Sequence, residues 1–146
     1  MAIHVVPDFP LAEKVGAVVI ALIWILATSL FPEPHRRRVS ALTIAGAGAA
    51  YLSGGLGLWE FAFCIVMSVV AFRGLDSYTF IGIGWLLHTG WDVMHHLYGN
   101  PIVPFDPSSS AGCAVCDTIL AIYFFCGAPG FFTTFRYKKL TSSNRI

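Results

Sequence analysis

Long apolar runs separated by short polar segments dominate the chain and predict five helices. A helix that crosses a membrane needs about 20 largely apolar residues. The first run, 11–31, has that character and ends at Pro32 and Pro34. The stretch 39–72 would extend about 51 Å as one helix, so we expect a break at its glycines, Gly54, Gly55 and Gly57. The predicted helices are 11–31, 39–53, 58–72, 78–98 and 111–135, the last with a kink or helix end at Pro129.

The positions of Lys and Arg decide between four and five membrane crossings. With five crossings, every Lys and Arg except Lys14 falls on one side of the membrane. With four, the arginines at 36–38 and the basic segment 136–146 would lie on opposite sides. Because positive residues favour the cytoplasm, we predict an all-α bundle of five transmembrane helices. Its N-terminus lies outside and its C-terminus inside, and residues 1–146 form one domain with a basic cytoplasmic tail at 136–146.

Composition points to lipid as the solvent of this chain. Hydrophobic residues make up 56% of it and charged residues 12%, whereas a typical soluble domain carries roughly 25% charged residues. The formal net charge of +1 gives no basic footprint for nucleic acid. We therefore expect neither a soluble globular enzyme nor a nucleic-acid binder, and we expect membrane lipid and apolar molecules as partners.

The fourth predicted helix carries the residues of greatest chemical interest. His88, Asp92, His95 and His96 fall on one helical face about 100° wide. Ionisable groups at membrane depth are costly and usually face a bundle interior or a cavity, and imidazole and carboxylate suit divalent metals. His88 and His96 lie about 12 Å apart along the axis, so they cannot share one ion on a straight helix. We predict a Zn-like metal site on this face.

Two other predicted helices bring polar groups to the same outer end of the bundle. Glu60 begins the third helix, and Cys113, Cys116 and Asp117 begin the fifth. The loop 99–112 between the fourth and fifth helices is longer than most connections, which is typical of a lid or site loop. Glu60 is a candidate general base, while Asp117, Glu60 or a cysteine would complete a metal shell. A structural polar network is the competing interpretation.

Three interpretations of the Cys113–Cys116 pair are open. A CxxC at a helix start favours thiolate formation and redox activity. The two thiols are also suitable metal ligands. On the oxidising outer side they would also be able to form a static disulfide.

The segments 54–60, 73–78, 82–105 and 112–117 combine a HxxxDxxHH motif with a CxxCD motif. Together they resemble a family of small bacterial integral-membrane proteins that is catalogued only as a domain of unknown function. The resemblance implies a multi-pass protein of the bacterial inner membrane and brings no activity with it.

Weaker similarities concern single features of the chain. The CxxC pair is similar to that of vitamin K epoxide reductases and disulfide-forming membrane oxidoreductases, in which such a pair lies beside a quinone pocket. A second outer cysteine pair is not evident here. The clustered histidines are similar to those of membrane di-iron hydroxylases and desaturases, but those enzymes use more histidines than this chain offers.

Three functions remain as hypotheses. The first is a metal-dependent membrane enzyme or metal-handling protein that acts on a lipid or another apolar substrate through His88, Asp92, His95 or His96. The second is a thiol oxidoreductase that exchanges electrons between its CxxC pair and a quinone. The third is a non-catalytic membrane subunit or a small transporter.

Overall fold

The computed structural model describes residues 7–52, 55–98 and 100–130, and these residues form five α-helices and no strand. The prediction of an all-α chain with five helices is therefore confirmed for this part of the sequence. The helices are α1 (Leu11–Ser29), α2 (His35–Ala49), α3 (Leu58–Gly74), α4 (Tyr78–Leu97) and α5 (Ser109–Phe125).

Helix α2 begins at His35, four residues before its predicted start. The backbone N–H groups of Arg36 and Arg38 donate to the carbonyls of Pro32 and Pro34. The prolines that end α1 therefore supply the first acceptors of α2. As a result, the three arginines lie inside the first turns of α2 and not in the connection.

Helix α5 ends at Phe125 and does not continue toward residue 135 within the described chain. Gly127 and Ala128 adopt φ angles of 81° and 48°, which is the left-handed conformation that commonly closes a helix. The N–H groups of these two residues satisfy carbonyls of the last turn, those of Phe124 and Tyr123. Ser53, Gly54, residues 131–135 of the predicted fifth span and the predicted tail at 136–146 lie outside the described residues.

Helix α4 occupies the centre of the bundle, where it packs against α2, α3 and α5, while α1 packs mainly against α5. Glycines permit this close packing. A Cβ atom added at Gly84 of α4 would lie 2.5 Å from Ile44 of α2, and one added at Gly48 of α2 would lie 2.4 Å from the Cβ of Met67 on α3. Ile44 and Met67 are fully buried and have little space into which they can move. The helices can therefore approach this closely only because Gly84 and Gly48 have no side chain.

The outside of the bundle is unusually apolar. Large hydrophobic side chains are exposed along whole faces of α1 and α3, and they include Ile20, Ile23, Trp59, Phe61 and Phe72. Among the described helices, α1 alone has both the length and the hydropathy expected of a membrane span. A single helix of this kind does not establish the predicted five-pass bundle or its orientation.

Candidate metal site

Three ionisable side chains meet in the interior, where α4 packs against α5. His88 and Asp92 lie one helical turn apart on α4, and Asp117 lies in the middle of α5. The Nδ1 atom of His88 is 2.7 Å from Oδ2 of Asp117 and 3.2 Å from Oδ2 of Asp92. All three residues are buried. One ligand atom from each lies within 4.8 Å of the others, which is close enough to hold a metal ion.

The early end of α2 fixes the orientation of the His88 ring. Because α2 ends at Ala49, the carbonyl of Ala47 accepts the backbone N–H of Ala50 at 3.0 Å in place of the usual partner four residues on, and it keeps a lone pair for a side chain. The carbonyl of Ala47 accepts a hydrogen bond of 2.9 Å from Nε2 of His88. This bond places the proton on Nε2 and leaves Nδ1 aimed at the two carboxylates. Metal-bound histidines in proteins typically donate their second ring N–H to such an acceptor.

A second set of hydrogen bonds holds Asp92 from the opposite side. The Tyr51 hydroxyl donates to Oδ1 of Asp92 at 2.7 Å and is also hydrogen-bonded to Ser110 at 2.8 Å. The Ser110 hydroxyl in turn accepts the backbone N–H of Ile102 at 3.0 Å. The connection between α4 and α5 is thereby tied to Asp92. One oxygen of Asp92 is fixed by Tyr51, and the other faces His88.

The two carboxylates of this centre face one basic side chain, that of His88. Within the described residues, no Lys or Arg forms an ion pair with Asp92 or Asp117. Unless a metal ion replaces it, a proton lies in the 2.7 Å contact between Nδ1 of His88 and Oδ2 of Asp117, so two carboxylates and one imidazolium carry a formal charge of −1, which is costly in a buried site. A divalent cation would neutralise the set, and protons shared among the three groups would reduce its charge.

Glu60 and His95 form a separate buried pair at the α3–α4 packing. The Nε2 atom of His95 lies 3.0 Å from Oε1 of Glu60, while Nδ1 faces the carbonyl of Asn100 at 3.1 Å. Glu60 also accepts 3.0 Å hydrogen bonds from the Trp91 indole and from the Leu56 backbone. The structure therefore places the predicted metal ligand His95 and the predicted general base Glu60 together, outside the His88 ligand set.

Tyr51 lies between the two clusters. Its ring stacks on His95 with a centroid distance of 3.7 Å and an interplanar angle of 14°, while its hydroxyl reaches Asp92. The sequence analysis assigns no role to Tyr51, Ser110 or Trp91, because hydroxyl and indole groups are common in helices and connections without a functional role. The available signal is that each is a hydrogen-bonding group near the predicted outer ends of the helices.

The remaining predicted residues lie outside the ligand set. His96 is partly buried on α4 and belongs to neither cluster. Cys113 and Cys116 are free thiols and partly buried. Both border a cavity of about 370 Å³ that reaches Asp117. We call this cavity, which lies between α1, α5 and the segment 102–108, the α1–α5 crevice.

A family model described as a family of unknown function, DUF6010, matches residues 12–130. This range contains both polar clusters and the described lining residues of the α1–α5 crevice other than Phe9. No curated protein and no solved structure matches the chain.

Proposed function

The chain belongs to the family of unknown function DUF6010, so its relatives assign no activity, and we propose from the geometry that it binds a divalent metal ion between His88, Asp92 and Asp117. The observation that carries this proposal is the aim of His88 Nδ1, which is fixed by the Ala47 carbonyl, toward two buried carboxylates from two helices. A Zn-like ion suits one imidazole and two carboxylate ligands, and its charge would neutralise the set.

The α1–α5 crevice supports a catalytic role for this site over a purely structural one. Catalytic zinc sites keep three protein ligands and leave a fourth position for water or substrate. Asp117 both faces His88 and borders the crevice, so the open position would be reached from that side. A metal ion bound there would lower the pKa of a bound water and polarise a substrate carbonyl. We propose a metal-dependent enzyme that acts on a lipid or another apolar substrate.

We further propose that the bundle crosses the membrane five times, with its N-terminus outside. The exposed apolar faces of α1 and α3 suit a lipid surround, while the ionisable groups of the site are buried in the interior. Arg36, Arg37, Arg38 and Arg73 lie at the end of the bundle that this orientation places in the cytoplasm. Helices α2, α3 and α5 are shorter than a usual span, which local thinning of the bilayer would accommodate.

Metal analysis of the purified protein tests the proposal. The wild type, isolated from membranes without chelators, is expected to hold about one metal ion per chain, and His88→Ala, Asp92→Ala and Asp117→Ala are expected to lose it. His96→Ala is the matched control, because His96 lies on the same helix and outside the ligand set. A metal-free wild type would overturn the proposal and favour a structural network of hydrogen bonds.

A quinone-linked thiol oxidoreductase is the second candidate, because Cys113 and Cys116 both border the crevice as free thiols. Reactive thiols usually need a nearby cation that stabilises the thiolate. Within the part of the chain that the structure describes, the crevice is lined by no Lys, Arg or His, so this candidate has weaker support. It predicts that Cys113 and Cys116 form a disulfide when the quinone pool is oxidised. When the pool is reduced, both residues are expected to remain thiols. Trapping the thiol state in both conditions checks it, and identical states would exclude it.

A further inference from the structure

The shape of the α1–α5 crevice carries an inference about the ligand of the proposed metal site. On α1, the crevice is lined by Glu13, Gly16, Ala17 and Ile20, whose spacing marks one face of a helix. Across from them, Gly112 lies on α5. A Cβ atom added at Gly16 or at Gly112 would meet no atom within 4 Å. The two glycines therefore do not serve close helix packing, and they leave open space between the helices.

The crevice extends along the axis of α5. From Ser109 to Asp117, its lining residues on α5 span about 12 Å along the helix axis. Its volume of about 370 Å³ lies near the lower end of the range of about 300–1,000 Å³ that is typical of ligand pockets. These dimensions fit a single slender chain that lies along the helices, with one end near Asp117.

The charges of the lining exclude one class of ligand. Among the described residues that line the crevice, Glu13, Asp106 and Asp117 carry carboxylates and none is Lys, Arg or His. At the end remote from Asp117, the Ser108 hydroxyl lies within hydrogen-bond distance of both Glu13 and Asp106, and its single proton is donated to one of them at a time. An anionic head group would be stripped of water there and would face the carboxylates of Glu13 and Asp106, while the amino group of Lys14 lies over the Phe9 ring, 5.5 Å from its centroid, and Lys14 is not among the described lining residues.

We infer that the α1–α5 crevice takes a slender amphiphile without negative charge, and that Gly16 and Gly112 set the width of the chain it admits. This inference rests on the proposed function for its choice of the crevice as the route to the metal. It adds the class of the ligand: an uncharged or cationic single-chain molecule, as opposed to an anionic phospholipid or a free fatty acid.

Photolabelling in phosphatidylcholine nanodiscs tests this inference. Three diazirine probes with the same alkyl chain would carry an alcohol, an ammonium or a carboxylate head group, and labelled residues would be mapped by mass spectrometry. We expect the alcohol and ammonium probes to label crevice-lining residues of α1 and α5 in the wild type, with labelling by the carboxylate probe lower by about tenfold. Equal labelling by all three probes would overturn the charge selectivity.

Cavity-filling variants test the width. Gly16→Leu and Gly112→Leu place a side chain in the open space and are expected to reduce crevice labelling about tenfold or more. Gly90→Leu is the matched control, because Gly90 is an exposed α4 glycine with no atom within 4 Å of an added Cβ. Unchanged labelling in both crevice variants would overturn the inference. If either variant fails to fold, the comparison of head groups in the wild type still decides the charge selectivity.

Metal content measured on the same samples separates the two proposals. If the wild type holds metal but probe labelling depends on neither the head-group charge nor the crevice variants, only the proposed ligand class is contradicted. A wild type that holds no metal but labels selectively contradicts the metal site and leaves the crevice ligand standing.

Discussion

The Nδ1 atom of His88 lies 2.7 Å from Oδ2 of Asp117, which joins α4 to α5 at the buried end of the α1–α5 crevice. The two residues are far apart in sequence and contact each other only because α4 packs closely against α5. Since the opposite side of the His88 ring is held by Ala47 of α2, the orientation of one imidazole depends on three helices.

Replacement of Tyr51 by Phe is expected to weaken metal binding without removing a ligand. The change deletes the hydroxyl that donates to Oδ1 of Asp92 and keeps the ring that stacks on His95. Loss of such an outer hydrogen bond typically costs about 10–100-fold in metal affinity. Competition with a zinc-binding dye measures the effect, and Tyr98→Phe, at an exposed tyrosine, is the control. Equal affinity in wild type and Tyr51→Phe would show that Asp92 does not depend on this bond.

Replacement of Glu60 by Gln is expected to lower stability and to leave metal content unchanged. Glu60 faces His95 and accepts two further N–H groups in a buried position, and a buried polar group left without its partner costs about 1–3 kcal/mol. Denaturant unfolding together with metal analysis checks both parts, with Asp8→Asn at an exposed carboxylate as control. A folded Glu60→Gln protein that has lost its metal would place Glu60 in the metal site.

Replacement of Gly48 by Ala is expected to destabilise the α2–α3 packing. The new methyl group would lie 2.4 Å from the Cβ of Met67, an atom that moves only with its backbone. Overpacking of this kind costs about 1–3 kcal/mol. Gly90→Ala is the matched control and is expected to stabilise α4 by roughly 0.5–1 kcal/mol, because Gly90 has open space around it. Thermal unfolding of both variants checks the difference, and equal stability would contradict the close approach of α2 to α3.

The Glu33–Arg36 pair is expected to make stability depend on acid pH. Partial burial by itself would raise the pKa of Glu33, but hydrogen bonds from Tyr78 and Arg36 and the charge of Arg36 outweigh it, so the pKa lies below its ordinary value of 4.5. A carboxyl whose pKa is lowered by folding contributes stability that is fully present above pH 4.5 and is lost as the pH falls through the folded value. The Glu33 side chain is 42% exposed, so water screening keeps this contribution below about 1 kcal/mol.

Thermal unfolding of wild type and Glu33→Gln across this pH range tests that dependence. The stability advantage of the wild type is expected to shrink as the pH falls below 4.5. Asp76→Asn is the control, because Asp76 is an exposed carboxylate in the connection between α3 and α4. A constant difference between wild type and Glu33→Gln at every pH would contradict a pKa lowered by folding.

Much of the fold follows from local sequence, but the partners of the polar residues do not. Apolar run lengths, prolines and glycines predict the five helices, and differences occur at helix ends, where the carbonyls of Pro32 and Pro34 extend α2 by four residues. Helical spacing puts His88, Asp92 and His95 on one face. It does not reveal that His95 faces Glu60 of α3 and so belongs to a different cluster from His88 and Asp92.

The partner of Tyr51 is likewise not predictable from local sequence. Tyr51 follows the end of α2, and only the packing of α2 against α4 brings its hydroxyl to Asp92. Asp117, in contrast, is recognisable from sequence as an acid at the outer end of a neighbouring helix. Which of several such acids meets His88 depends on interhelical distance, and periodicity along one helix does not determine that distance.

X-ray absorption spectroscopy at the zinc edge of the zinc-loaded wild type tests the proposed metal site most directly. Ligation by His88, Asp92 and Asp117 predicts a nitrogen and oxygen shell at about 2.0–2.2 Å with the scattering of a single imidazole. It also predicts no sulfur shell at about 2.3 Å, since Cys113 and Cys116 lie outside the ligand set. A sulfur shell, a signal from several imidazoles, or failure of the protein to retain zinc would contradict the site.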